Sequence, residues 1–190
     1  MTFCYIKKQI FNYERMKIIM ANVFDNIVGA EHVVCSSSLL KGTEVGHILS
    51  VKCHKDLDNG SIIARGDWVE AQVFNSADYA AGKKPYLVLT TPIGYNSDRK
   101  YYQEEKYFYN AAGEIARAYE LYVDDIFEVS ADAITALATA PVVGNYVSVE
   151  GGLYKEAASA GDSGFVAQIV EKVNYTNSTS YRLHVVSLGV

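Results

Sequence analysis

The alternation of apolar residues between positions 107 and 134 constrains the fold more than any other stretch. Ile115, Tyr119, Leu121 and Val123 share one phase, with Arg117 as a polar break, and Phe127 and Val129 continue it beyond Asp124-Asp125. A period of two belongs to strands with one buried face. Gly113 marks a turn before the strand. Asp124-Asp125 marks a tight turn, because aspartate side chains bond nearby backbone and tolerate unusual dihedrals. Ser130 reads as the N-cap of a short helix over residues 131–137, closed by Pro141. No catalytic constellation falls in this stretch, which is scaffold.

The rest of the chain repeats the strand signal. Residues 32–36 and 45–54 read as strands, the second with Val45, His47, Leu49, Val51 and Cys53 in one phase. Asn59-Gly60 signals a hairpin, returning through residues 61–74 with a break at Arg65-Gly66-Asp67. Trp68, the single tryptophan, is expected to anchor the core there. Residues 75–84 form a polar connection, 86–90 a compact apolar strand, and 96–105 a charged, Tyr-rich loop or short helix. Residues 146–150 and 153–155 flank a Gly151-Gly152 turn, and 157–164 form a small-residue loop. Residues 165–173 and 182–188 are expected to pair across a polar loop. Short strands at close spacing with one brief helix predict a mainly β fold, a small β-barrel or sandwich. The organisation expected within the 190 residues is threefold. Residues 1–19 are an over-called start or a flexible basic arm. Residues 20–140 are the β-rich main body, and 141–190 a C-terminal strand group packed on it.

Charge separates the N-terminus from the rest. Lys7, Lys8, Arg15 and Lys17 against Glu14 give the first 21 residues a net +3, leaving −8 for the remainder of a chain of formal charge −5. Met20 opens a credible start, which motivates the over-called reading. An acidic body repels phosphate backbones, so no nucleic-acid partner is expected. No apolar run of about 18 residues exists, so no membrane-spanning helix is expected. Cys4, Cys35 and Cys53 do not form a disulfide framework and are expected to be reduced.

Each candidate chemical motif has a plainer reading. Gly161-Asp162-Ser163-Gly164 matches part of the trypsin-like nucleophile motif, but Phe165 replaces the next glycine and His32, His47 and His54 lie in no matching histidine motif. A loop between strands is the reading taken. His32, Cys35, Cys53 and His54 are zinc-ligand types at the wrong spacing. Arg65-Gly66-Asp67 matches an integrin-binding tripeptide, yet Gly66 reads better as a bulge. Asn174-Tyr175-Thr176 and Asn177-Ser178-Thr179 are glycosylation sequons read as loop composition. Asp124, Asp125, Glu120 and Glu128 lack a calcium-loop pattern and read as a solvated turn.

The fifteen tyrosines are the most unusual feature of composition. Tyr95, Tyr101, Tyr102, Tyr107 and Tyr109 cluster with Arg99 in a segment of mixed charge. Aromatic bodies among charges suit an interface, so these six residues are the candidate partner-binding set.

The order of the Asn59-Gly60 turn, a strand ending near Phe74, PYLVLTTP (85–92), FYNAAGEIARAYELYVDDIFEVSADAI (108–134) and VGNYVSV (143–149) resembles a known family. These are small virion proteins encoded beside the major capsid gene in tailed phages of Gram-positive bacteria, of the head-decoration or head-fibre type. The resemblance spans residues 20–190 and rests on a diffuse pattern. It implies a β-rich body seated on the capsid lattice, with the major capsid protein as partner and symmetric homo-oligomers. It also implies a virion location after synthesis in the host cytoplasm, no enzyme activity and no cofactor. The alternative is a carbohydrate-binding β module of a phage tail or cell surface, with aromatics beside Asp, Asn or Arg.

Overall fold

A computed structural model describes residues 31–44, 46–92, 104–161, 164–175 and 178–189. The mainly β expectation holds, and the architecture is a small closed barrel joined to a larger sheet. The barrel comprises β2 (Ile48–Lys52), β4 (Ile62–Glu70), β5 (Val73–Asp78), β6 (Tyr86–Val88) and β8 (Ile115–Glu120), in the order β2-β5-β4-β6-β8. Its β2–β5 pair is parallel and the others are antiparallel. The seven-stranded sheet runs β1 (Cys35–Leu39), β9 (Ile126–Ser130), β14 (Ser178–Ser187), β13 (Val166–Tyr175), β11 (Tyr146–Glu150), β12 (Leu153–Ala157) and β10 (Ile134–Thr135). A two-residue pair, β3 (Leu57–Asp58) with β7 (Tyr109–Asn110), lies apart from both.

Two hydrophobic cores result, and β4 and β6 place fully buried side chains in both. Val51, Cys53, Leu57, Ile63, Tyr86, Val88, Ala116 and Ala118 fill the barrel. Ile62, Leu87, Leu121, Phe127, Val129, Tyr154, Phe165, Leu183 and their neighbours form the larger core. Successive strand side chains point to opposite faces. Ile62 and Leu87 therefore face the larger core, while Ile63, Tyr86 and Val88 face the barrel interior. Val147, Tyr154 and the long β13–β14 hairpin complete the larger core from the far side, and the Tyr154 hydroxyl donates to the Gly60 carbonyl at 2.7 Å.

Several elements follow the sequence pattern closely. β11 and β12 meet across Gly151 and Gly152, both at positive φ, in the register Glu150↔Leu153. β13 and β14 pair over their lengths, extending further into the expected loop. Asp124 turns the chain at φ 71°. Gly66 sits at a bulge of β4, where a Cβ would lie 2.9 Å from the Asn75 carbonyl oxygen.

Other expectations are corrected. In β8 the buried phase is Ala116, Ala118 and Glu120, while Ile115 and Arg117 face out. A five-stranded barrel is narrow, so its interior takes small side chains from this strand. Asn59-Gly60 does not join a two-stranded hairpin, because β2 and β4 are not neighbours. Gly60 instead adopts φ 90°, and a Cβ there would lie 3.2 Å from Cys35 Cβ and 3.3 Å from Val129 Cγ1. Asn59 is buried and bridges strand ends: its amide donates to the Thr90 carbonyl and its oxygen accepts from Thr90 N, both at 2.9 Å. The helix expected over 131–137 is one 3-10 turn, Ala131–Ala133, followed directly by β10. Ser130 caps nothing. Its hydroxyl accepts from Val34 N at 3.2 Å, tying two chain segments together. A four-residue helix, α1 (Lys41–Glu44), stands elsewhere. Cys35 and Cys53 are free and occupy different cores, which separates them as disulfide partners.

Trp68 is the largest departure. It is 62% exposed on the outer part of the β4–β5 hairpin and meets Phe74 edge-on, ring centroids 5.2 Å apart. The bulges beside it turn its strand away from the core. Replacing Trp68 with Ala should cost less than about 1 kcal/mol, as for surface positions generally. As the single tryptophan, its emission should resemble that of a water-exposed indole and be readily quenched by acrylamide. Blue-shifted, protected emission would restore a core role.

Candidate functional site

Three surface features carry chemistry that the folding of the cores does not by itself require. The first is a polar cluster at one rim of the barrel. Register places Ile48 opposite Tyr119 and Tyr86 opposite Glu120, so the ends of β2, β6 and β8 meet there. Glu120 is buried, forms an ion pair with Lys84, and lies 3.2 Å from His47 Nδ1. The Tyr122 hydroxyl is 2.6 Å from the same nitrogen. Burial pushes the Glu120 carboxyl up, but hydrogen bonds from Lys84, Tyr122 and His47 outweigh it and hold the group below its ordinary value. The hydrogen bond to Glu120, with burial, pushes the Tyr122 hydroxyl up to about 12. The cluster is thus internally neutralised, and Tyr122 stays protonated across the physiological range. It seals the rim under α1, where Gly42 packs so closely on the Glu120 carbonyl that a Cβ would lie 2.6 Å away.

Asp125 supports this rim from behind. Fully buried, it accepts from Lys41 N at 2.9 Å and Tyr122 N at 2.8 Å. Burial raises its pKa, and those backbone bonds offset only part of the effect. The solvated-turn reading therefore applies to Asp124 and not to Asp125, which is a structural clamp. Glu128 is engaged by Arg182 at 2.6 Å. No group of three or more metal-ligating side chains comes together among the described residues. His32 lies 2.7 Å from Asp58 and stacks on Tyr109, whereas His54 contacts Ser76 and Asp78.

The second feature is the Trp68 hairpin. Trp68 and Phe74 form an aromatic pair, and the Arg65 guanidinium lies 4.9 Å from the Phe74 ring centroid. Val69 is exposed beside them. Arg65-Gly66-Asp67 is therefore part of a bulged strand and not the tip of a free loop.

The third feature was hidden from pattern reading. Residues 136–145 contain no charged side chain, and Leu137, Val142 and Val143 are 59%, 53% and 50% exposed. Buried Glu156 on β12 holds this loop. Its carboxylate accepts from Leu137 N and Val142 N, each at 2.8 Å, and from Asn145 Nδ2 at 2.7 Å. Two backbone bonds then fasten the loop's far end to β13: Gly144 N to the Ile169 carbonyl and Ile169 N to the Asn145 carbonyl, both 2.8 Å. The signal available in the sequence was an uncharged run with aliphatics at neither helical nor strand period.

The tyrosine candidates divide. Tyr95, Arg99, Tyr101 and Tyr102 lie outside the described residues. Tyr107 is buried, and Tyr109 is half-buried against His32. Asp162 and Ser163 of the GDSG motif, and Thr176 and Asn177 of the sequons, also lie outside the described residues. Gly164, at φ 79°, leads into Phe165, whose amide donates to the Tyr79 hydroxyl at 2.8 Å.

Comparison with family models, curated proteins and solved structures returned no match.

Glu156 provides a direct test of the loop clamp. Burial pushes its carboxyl up, but the three hydrogen bonds outweigh this and hold the pKa below the ordinary value. Its contribution to stability is therefore full above the unfolded-state pKa and is lost as pH falls through the lower folded-state value. Glu156→Ala should cost about 1–3 kcal/mol at neutral pH, the range for leaving buried donors unpaired. The stability difference between wild type and variant should shrink on acidification. A difference independent of pH would show that the ionised carboxylate is not the clamp.

Proposed function

We propose that this chain is a non-enzymatic virion structural protein that binds the outside of a tailed-phage capsid lattice, with the major capsid protein as its partner. The observation that carries this reading is Trp68, a large indole exposed on a β hairpin and braced by Phe74. Tryptophan, tyrosine and arginine dominate the energy of protein interfaces, and a braced ring loses little freedom on binding. Tyr95, Arg99, Tyr101 and Tyr102 join the proposed contact on composition. Tyr107 and Tyr109 are assigned to packing in the same segment. The internally neutralised Glu120 cluster leaves Lys84 engaged and Tyr122 protonated, which supports a structural reading of the barrel rim.

A second reading has an observation of its own. An exposed indole with Arg65, Asp67 and Asn75 in the same hairpin also suits stacking on a sugar. Trp68 and Phe74 are inclined at 75°, so one ring and not a coplanar pair would carry that stacking.

Mixing the purified full chain with undecorated heads and imaging them by cryo-EM separates the two readings. Wild type should fill lattice positions. Trp68→Ala combined with Tyr101→Ala and Tyr102→Ala should retain its melting temperature and weaken attachment at least about tenfold. Wild-type occupancy by that variant, or no attachment by the wild type, would overturn the capsid reading. A Trp68 emission change on adding host-wall polysaccharide, without head binding, would support the sugar reading instead.

A further inference from the structure

We infer that a cavity beside residues 104–107 binds a small linear polyamine, whose separated ammonium groups meet carboxylates spread around its wall. The cavity encloses about 540 Å³. It is bounded by the 3-10 turn Glu105–Tyr107, by the entry to β1 and by the seven-stranded sheet. The His32 amide donates to the Lys106 carbonyl at 2.6 Å, which holds the turn against the β1 entry. Among the described residues, Glu31, Glu104, Glu105 and Asp132 set four carboxylates in the wall against the single ammonium of Lys106. Lys106 faces Glu31 at 3.6 Å, and His32 is engaged by Asp58. Glu104, Glu105 and Asp132 meet no cation among the described residues.

Unpaired buried oxygens point independently to a missing donor. Three buried side-chain oxygens of the described residues make no hydrogen bond: Glu105 Oε2, Glu120 Oε1 and Ser180 Oγ. Lys84 meets the second through its ion pair. The other two belong to this cavity. Glu105 lines it, and its Oε1 already accepts from the Tyr175 hydroxyl at 3.2 Å, which leaves Oε2 as the open acceptor. Ser180 is 1% exposed and pairs with Ser130 between β14 and β9. Cross-strand partners share a face, and so do residues two apart on one strand. Ser130 and Ser178 line the cavity, so the Ser180 hydroxyl is directed to that side, away from the core residues Val129 and Tyr181. Buried polar atoms in folded proteins nearly always have partners, and a carboxylate oxygen without one is costly. The excess of carboxylates selects a cation as the donor. A metal ion fits poorly, because no three metal-ligating side chains come together among the described residues. Carboxylates dispersed around a cavity suit a ligand whose charges are dispersed too. A polyamine meets that condition, with several N–H donors at each ammonium and apolar methylenes between them. The inference goes beyond head attachment and does not depend on it.

Calorimetric titration of the full chain with spermidine, putrescine and n-butylamine at low ionic strength tests it. Spermidine should bind more tightly than putrescine. The monoamine n-butylamine, on the same four-carbon chain as putrescine, should bind at least about tenfold more weakly than the diamine. Magnesium at equal concentration should not displace spermidine. Backbone amide shifts on adding spermidine should concentrate at Glu105, Ser130, Ser178 and Ser180. Glu105→Gln keeps an acceptor for Tyr175 and removes the charge, so it should weaken spermidine binding at least about tenfold. Asp132→Asn should weaken it several-fold. Glu70→Gln, on the Trp68 hairpin and outside the cavity, should leave it unchanged. Absence of spermidine binding would overturn the inference, as would n-butylamine matching putrescine or magnesium displacing spermidine. Amide shifts scattered over other acidic surface, or Glu105 and Asp132 variants that bind like wild type, would also overturn it. Should Glu105→Gln fail to fold, Asp132→Asn and the wild-type shift map decide the question.

Discussion

Every other feature depends on a wall buried on both sides. Ile62 and Leu87 face the larger core while their chain neighbours Ile63, Tyr86 and Val88 face the barrel interior. All five are buried, and three of them make up the whole of β6. A five-stranded barrel lined partly by alanine encloses little apolar area, and hydrophobic stabilisation scales with area. Sharing β4 and β6 with the seven-stranded sheet lets one short strand contribute to both cores. It also fixes how the two units meet, because a one-residue slip of β6 would send Leu87 into the barrel and Tyr86 out of it.

Buried polar groups then secure the irregular segments that this β framework leaves over. Asn59 bridges to Thr90 and Asn110, Asp125 holds the start of α1 and the 122–125 turn, and Glu156 holds the loop before β11. Each carries hydrogen bonds, as buried polar groups require; those to Glu156 outweigh its desolvation, while those to Asp125 offset only part of it. These clamps set the surface as well as the fold. They allow Leu137 and Val142 to stand in solvent without the loop collapsing over them. At the barrel rim, Lys84 and Glu120 neutralise each other. The loop 136–145 and the Trp68 hairpin both present large apolar side chains to solvent.

The sequence was legible where one face of a strand meets the core and the other meets water. Phe127, Val129, the Gly151-Gly152 turn and the β13–β14 hairpin fall in this class. It was misleading in β8, because Ala116 and Ala118 weigh little in an apolar alternation while the outward-facing Ile115 weighs heavily. It was silent on the parallel β2–β5 pair, since no local signal specifies a non-local partner. Trp68 misled for a different reason: a lone tryptophan in an apolar strand reads as core unless the bulge at Gly66 is given its full effect on direction. At the candidate site, Glu156 reads as an ordinary surface charge. Its role emerges only when β12 brings it under a loop eleven to nineteen residues earlier in the chain.

Native-state hydrogen exchange in a Leu87→Ala variant tests the shared wall most directly. Leu87 faces only the larger core, so an independent barrel would be indifferent to its loss. With a common wall, protection of Val51 in β2 and of Leu183 in β14 should fall together, each by about 2–5 kcal/mol, the usual cost of a buried leucine truncation. Loss confined to β14, with β2 unchanged, would contradict the account.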